Sequence, residues 1–282
     1  MKPRKEIVKL TEDIKKLRVR TALEFSEIDK LATKARALLL STSPRRVDVA
    51  HSSGEYFFYA TISGVTRYSR PIRSALYIAD GDELRSAVKC TFGGKWEPTH
   101  TALLGRVAYT LVQDIASFLD FFSPEAAKGA LGTFFEGVVA SVINRFTGQI
   151  VSSGRILVPS VNLSVSVDLA IWQGENVKLF VATKTSTRER LSQPFVQKLI
   201  ISKTQLLPSK SILVVIGDVQ RVKGNKVRHT FTAGQFRLYS LFVERMDGVY
   251  FLDVPPQAES LVSDGLLKPF DQLPGDLPGL LT

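Results

Sequence analysis

Two apolar runs in the second half of the chain, Leu163 to Trp172 and Val177 to Thr183, limit most strongly what it can fold into. The first alternates Val, Leu and Ile with small residues, the second is almost continuously apolar, and Gly174-Glu175-Asn176 between them is turn-forming. That pattern predicts two strands of one hairpin. Each strand also carries a charge that its surroundings penalise. Asp168 stands in Ser164-Val-Ser-Val-Asp168-Leu-Ala-Ile171, and Lys184 closes Leu179-Phe-Val-Ala-Thr-Lys184 sixteen residues later. An unpaired charge among such neighbours costs on the order of several kcal/mol. A hairpin of this length brings the two groups together at one end. On spacing alone, a purely structural ion pair and an active-site pair both remain open.

What surrounds the hairpin sets the fold class. Apolar residues recur at spacings of three and four from Lys5 to Leu40, which predicts two amphipathic helices. Ser41 to Arg46 reads as a loop. Tyr56 to Ile62 and Ser74 to Ile78, punctuated by Gly64, Pro71 and Gly81, read as a small β-rich region. Helices are expected from Leu103 to Phe122 and from Pro124 to Phe146, the second opened by Ser123 as N-cap and stopped at Gly148. Beyond the hairpin come a helix around Phe195 to Leu206, a strand at Ser211 to Ile216 and a helix from Gly234 to Arg245. This order predicts an α/β fold, with a mixed central β-sheet flanked by helices and an N-terminal helical and β-rich region. The expected division is 1–95 for partner contact or dimerisation, a core at 96–254, and a Pro-rich acidic arm at 255–282, where five prolines argue for extended chain.

Charge narrows the partner. The net charge is +10, and residues 1–46 hold 13 Lys/Arg against 6 Asp/Glu. Such a field suits a polyanion. Lys15, Lys16, Arg18 and Arg20 fall on the wet side of the N-terminal helices, and Arg67, Arg70 and Arg73 interleave with Tyr68, an arrangement suited to phosphate contact or base stacking. Solvated surface is the plain alternative for both groups. A single cysteine, Cys90, excludes an intramolecular disulfide, and His51, His100 and His229 lack ligand spacing, which argues against zinc. The start leads into charged residues, and no continuous apolar run approaches the roughly 18 residues of a membrane span. A cytoplasmic protein with no membrane partner is the expectation.

The stretch Lys184-Thr-Ser-Thr-Arg188-Glu189-Arg190-Leu-Ser-Gln193-Pro-Phe-Val-Gln197 resembles the PD-(D/E)XK nuclease superfamily. More narrowly, it resembles the branch of type II restriction endonucleases typified by EcoRII and its CCGG-recognising relatives. In that branch Lys precedes a Thr/Ser-rich turn and Arg-(Glu/Asp)-Arg, and the second carboxylate has moved from two residues before the lysine to the following helix. Here Ala182 stands two before Lys184, and the migrated position, thirteen after it, is Gln197 rather than glutamate. Glu136, in Gly132-Thr-Phe-Phe-Glu136, matches an acidic residue that the branch carries in the preceding helix. The resemblance implies Mg²⁺ held by Asp168, Glu136 and the backbone carbonyl near Thr183, with Gln197 assisting and Lys184 acting on the water. It also implies that Arg188, Glu189 and Arg190 read C·G pairs of double-stranded DNA, and that a homodimer cuts both strands of a GC-containing palindrome. A neutral Gln197 weakens metal binding. Open alternatives are a repair or junction-resolving nuclease of the same superfamily and a DNA-binding protein that has lost catalysis.

Overall fold

The structure is a computed structural model that describes residues 4–17, 24–52, 54–61, 66–158, 162–174, 176–188, 191–204, 208–223 and 225–282. In chain order the elements begin with α1 (Arg4–Lys16), α2 (Phe25–Leu40), β1 (Arg45–His51), β2 (Gly54–Ala60), β3 (Ile72–Arg73), α3 (Gly81–Val88), α4 (Thr101–Phe122) and α5 (Pro124–Thr147). They continue with β4 (Ser152–Val158), β5 (Leu163–Gln173), β6 (Asn176–Lys184), α6 (Ser192–Thr204), β7 (Lys210–Val215), β8 (Val219–Val222) and β9 (Lys226–His229). The last are α7 (Ala233–Phe242), β10 (Gly248–Phe251), α8 (Glu259–Ser263), β11 (Lys268–Pro269) and α9 (Leu273–Leu280). The chain divides into two compact units. Unit one holds the described residues up to 17, Glu24–Val138 and Val219–Thr230; unit two holds Val139–Asp218 and Phe231–Thr282.

In unit one, α2 buries Ile28, Leu31, Ala32, Ala35 and Leu39, the stripe that its spacing predicts, and packs it on α4. α4 is long and apolar enough to cross a membrane, but most of its apolar window is buried inside the protein, as befits a core helix. Its one deeply buried acid is compensated. Asp114 accepts from Arg36 Nε at 2.8 Å and from the Tyr77 hydroxyl at 2.6 Å, while Arg36 also donates to Ile78 O at 2.8 Å. β1, β2 and β3 form an antiparallel sheet in that order. β1 starts within the stretch expected to be loop. Ser74 to Ile78 is turn rather than strand, because Ile78 N–H donates to Thr110 Oγ1 (2.9 Å) and Tyr77 bonds Asp114, both on α4, where a strand would need a strand neighbour. α3 also escaped the sequence reading, although Asp80 caps it by accepting from Asp82 N and Glu83 N, each at 2.8 Å.

The hairpin β8–β9 was likewise unforeseen and belongs to unit one. Along β9, Val227 and His229 are buried while Lys226 and Arg228 are exposed. Arg221 lies 3.9 Å from the Tyr68 ring centroid, and the Tyr56 hydroxyl is 3.3 Å from His229 Nε2.

Unit two is built on a six-stranded sheet of order β11-β10-β7-β6-β5-β4. β4, β5 and β6 are joined antiparallel; β6, β7, β10 and β11 run parallel. This is the expected mixed central sheet. From α6, Phe195 packs with Ala182, Leu213 and Phe251, and Ile201 packs with Ile156, Val167 and Phe180.

Residues 255–282 are not an extended arm. Leu261, Leu267, Phe270, Leu273, Leu277 and Leu280 are buried, and Asp276 accepts from the Tyr250 hydroxyl and Lys268 Nζ, both at 2.7 Å. Two of the prolines occupy tolerated places, Pro274 in the first turn of α9 and Pro269 on the sheet's edge strand, while Pro278 lies inside α9. Nor does the chain divide near residue 95, since α4 buries its length against α2 and belongs with the N-terminal elements.

Candidate active site

The chemistry follows from where the β5–β6 ladder stops. Its last pair toward this end is Leu169 with Val181. One step further, Asp168 falls beside Ala182, and Lys184, two along on the same face of β6, is its diagonal neighbour. The Thr183 N–H, instead of continuing the ladder, donates to Asp168 Oδ2 at 2.8 Å. Lys184 Nζ donates to the same oxygen at 2.9 Å and Thr183 Oγ1 at 3.4 Å. Among the described residues, Oδ1 accepts nothing. The ammonium is nearly sequestered, at 11% exposure against 28% for the carboxylate. One oxygen therefore fixes the acid in place, and the other takes no bond from a described residue.

Gln197 lies on α6, where its Nε2 donates to Ser166 O at 2.8 Å, two residues before Asp168 on β5. α6 is anchored beside it. Lys198 Nζ reaches Asp247 at 2.6 Å and Ser209 O at 3.1 Å, and Asp247 also accepts from Ser211 N at 2.8 Å. Burial alone would raise the Asp247 carboxyl, but the Lys198 charge and the Ser211 donors outweigh it and hold it below the usual range.

Asp168, Thr183 and Lys184 thus come together in unit two, with Gln197 bonded two residues away on β5, while Glu136, half-buried on α5, belongs to unit one. Among the described residues no cluster of three or more His, Cys, Asp or Glu is placed to hold a metal. Within unit two the oxygen set is one carboxylate, main-chain carbonyls and a neutral amide. That suits Mg²⁺, which binds through one or two carboxylates and keeps several waters, better than a cation demanding a full protein cage.

The turn after Lys184 is pinned from β7. Ile216 N–H donates to Lys184 O at 3.1 Å, and two residues on, Asp218 accepts the Thr187 N–H at 2.9 Å as well as the Thr187 hydroxyl. Burial pushes the Asp218 carboxyl up, against the pull of its hydroxyl and amide donors and of Arg188. Arg188 is exposed, with its N–H 3.3 Å from Ser186 Oγ. Glu189 and Arg190 lie outside the described residues, as do Arg18 and Arg20. Asp218 was missed by sequence reasoning; the available signal was an acid directly after the apolar strand Ser211 to Ile216, at a sheet's carboxyl edge, where α/β folds place their ligands.

Of the basic residues offered for phosphate contact, several are engaged within unit one. Arg70 makes a two-pronged bond to Asp120 (3.0 and 3.1 Å), Arg67 donates to Phe121 O, and Lys15 pairs with Glu12 at 3.0 Å.

No protein-family model matches the chain, and no curated protein sequence matches it. Among solved structures it is similar to the crystal structure of the type IIP restriction endonuclease Kpn2I, with 23% identity and a TM-score of 0.75 over 99% of this chain and 97% of that one. A complex of the restriction endonuclease PspGI with substrate DNA aligns at 10% identity and a TM-score of 0.47, covering 93% and 98%. The chain therefore has the fold of Kpn2I, a mixed central sheet flanked by helices.

Proposed function

We propose that this chain is a Mg²⁺-dependent, site-specific endodeoxyribonuclease of the restriction type, cutting double-stranded DNA at a short GC-containing palindrome. The observation that carries the reading is the Asp168–Lys184 pair: an acid with one oxygen tied by three donors and one left open, and an ammonium 2.9 Å away. The likeness of fold to an enzyme named as a restriction endonuclease supports it.

Phosphodiester hydrolysis needs a deprotonated water and relief of negative charge on the phosphorus-centred transition state. A bound Mg²⁺ would supply Lewis acidity toward the phosphate. Asp168, with its free oxygen, the carbonyl near Thr183 and the Gln197 amide would hold that ion, with Glu136 as a further candidate. Lys184, an ammonium with donors only, would orient the attacking water and offset charge on the phosphate oxygens, while the water's proton passes to solvent. Arg188, Glu189 and Arg190 contribute base contacts, arginine to guanine O6 and N7 and the carboxylate to cytosine N4.

Cutting both strands of a palindrome requires two sites related by a twofold axis, hence a homodimer. Of the apolar helices α4 and α7, α4 is used by unit one's own core. α7 leaves Leu238, Leu241 and Phe242 at 57, 68 and 78% exposure, available for self-association.

The test is incubation of a mixed-sequence plasmid with Mg²⁺ or Mn²⁺ and the wild type, Lys184→Ala and Gln197→Glu. Discrete fragments that vanish with Lys184→Ala are expected. No fragments from any of the three would overturn the enzyme reading. One observation favours a second reading: Gln197 spends its amide on Ser166 O, a donor role that a carboxylate cannot fill. DNA binding without cleavage under every metal tried would select the non-catalytic binding protein.

A further inference from the structure

We propose that Asp218 is a positioning residue for sequence reading, clamping Thr187 so that Arg188 is presented beside Lys184 to a base edge of duplex DNA. The proposal deepens the function above and rests on its DNA-contact part. It starts from an anomaly in the turn itself. Loop residues are normally exposed, because a buried loop leaves main-chain groups unpaired. Thr187 is 2% exposed in the middle of a polar turn, and the acid that receives it, Asp218, is 1% exposed.

Both donors of Thr187, N–H and hydroxyl, go to the two oxygens of this one carboxylate. A two-point contact fixes the main chain and the side chain together, which a single hydrogen bond does not. The support under Asp218 is itself rigid. A Cβ added at the preceding Gly217 would stand 3.1 Å from Asp253 Cβ, so the segment leaving β7 is pressed against the end of β10. Asp253 N–H also donates to Ile216 O at 2.8 Å.

The far end of the turn is tethered as well. Leu191 is buried in the cluster of Phe195, Leu213 and Phe251. Thr187 and Leu191 are therefore both fixed, and Arg188, directly after Thr187, is exposed, with its charge felt at the Asp218 carboxylate. Tethering both ends removes freedom that base recognition would otherwise have to remove on binding. The other contact of this segment, Ile216 N–H to Lys184 O, links the same support to the proposed reaction centre.

The experiment is selection of bound duplexes from a random-sequence pool in Ca²⁺, with plasmid cleavage in Mg²⁺ read alongside, on the full-length wild type, Asp218→Asn, Thr187→Val and Thr187→Ser. Thr187→Val is nearly isosteric and keeps the backbone bond, so it decides the matter if Asp218→Asn does not fold. The expected result is that enrichment of the preferred sequence over its single-base variants falls at least about tenfold in Thr187→Val and Asp218→Asn, the scale of one lost bidentate base contact. Affinity for unselected duplex and the melting temperature of Thr187→Val should change little, and Thr187→Ser should recover the preference. Undiminished preference in Thr187→Val, or a loss that follows the melting temperature through all three variants, would overturn the proposal, as would a wild type that selects no sequence. A wild type that selects but never cuts removes the nuclease reading and leaves the clamp standing; one that cuts with an unaltered preference in Thr187→Val does the reverse.

Discussion

Asp168 meets two demands at once, with one oxygen saturated by Thr183 and Lys184 and the other open. Replacing the lysine removes the ammonium that, in the proposed reaction, orients the water and offsets phosphate charge. Lys184→Ala should therefore slow single-turnover cleavage by about 10²–10³-fold, the usual cost of losing one charge-stabilising donor. Gln197→Glu should lower the Mg²⁺ concentration needed for half-maximal cleavage, while losing the bond to Ser166 O at about 1 kcal/mol of stability in urea titrations. A third residue-scale prediction concerns pH. Burial, then the nearby His51 and Arg73 charges, hold His229 down to about 4. The unfolded chain takes up that proton near pH 6.5 and the folded one does not, so stability should fall as pH drops from about 6.5 toward about 4. His229→Phe should flatten this slope in urea midpoints measured across the window. Asp168 and Lys184 were legible in sequence because each is a lone charge in an apolar strand. Asp218 showed only as an acid past a strand's carboxyl end, since its bonds to the Thr187 N–H and hydroxyl, 31 residues away, leave no pattern in the chain.

Among the elements, those with strong periodicity were legible: α2, α4, α5, β5, β6 and β7 all form where the apolar spacing predicts. β1, β8 and β9 were not, because Arg45, Arg46, Gln220, Lys226 and Arg228 make short half-exposed strands look like polar loop. Two packing constraints are testable here. Arg36→Met would strand the Asp114 carboxylate in the α2–α4 contact, and unfolding free energy should drop by about 3–5 kcal/mol, the cost of breaking a buried pair from one side. In β10, a Cβ at Gly248 would lie 2.6 Å from the Tyr250 ring, which cannot yield without breaking its bond to Asp276. Gly248→Ala should thus destabilise by about 1–3 kcal/mol in the same assay.

At the scale of the whole molecule, most of the net charge of +10 lies in unit one, and it predicts DNA binding that weakens steeply with salt. No surface for the proposed DNA contact was legible, since Arg67 and Arg70, basic residues in a suggestive string, are occupied inside unit one. The path of the chain carries a separate consequence. Unit one is completed by Val219–Thr230, a segment that leaves unit two after β7 and re-enters it before α7. Val227 and His229 must therefore find their places against residues some 170 positions earlier, and the entropy of closing so long a loop makes this a late, slow event in folding. During synthesis the first 138 residues emerge without the strands that cover Tyr56 and Tyr68, so a nascent chain exposes those rings until residue 229 has left the ribosome. Neither unit can be severed from the other by one cut.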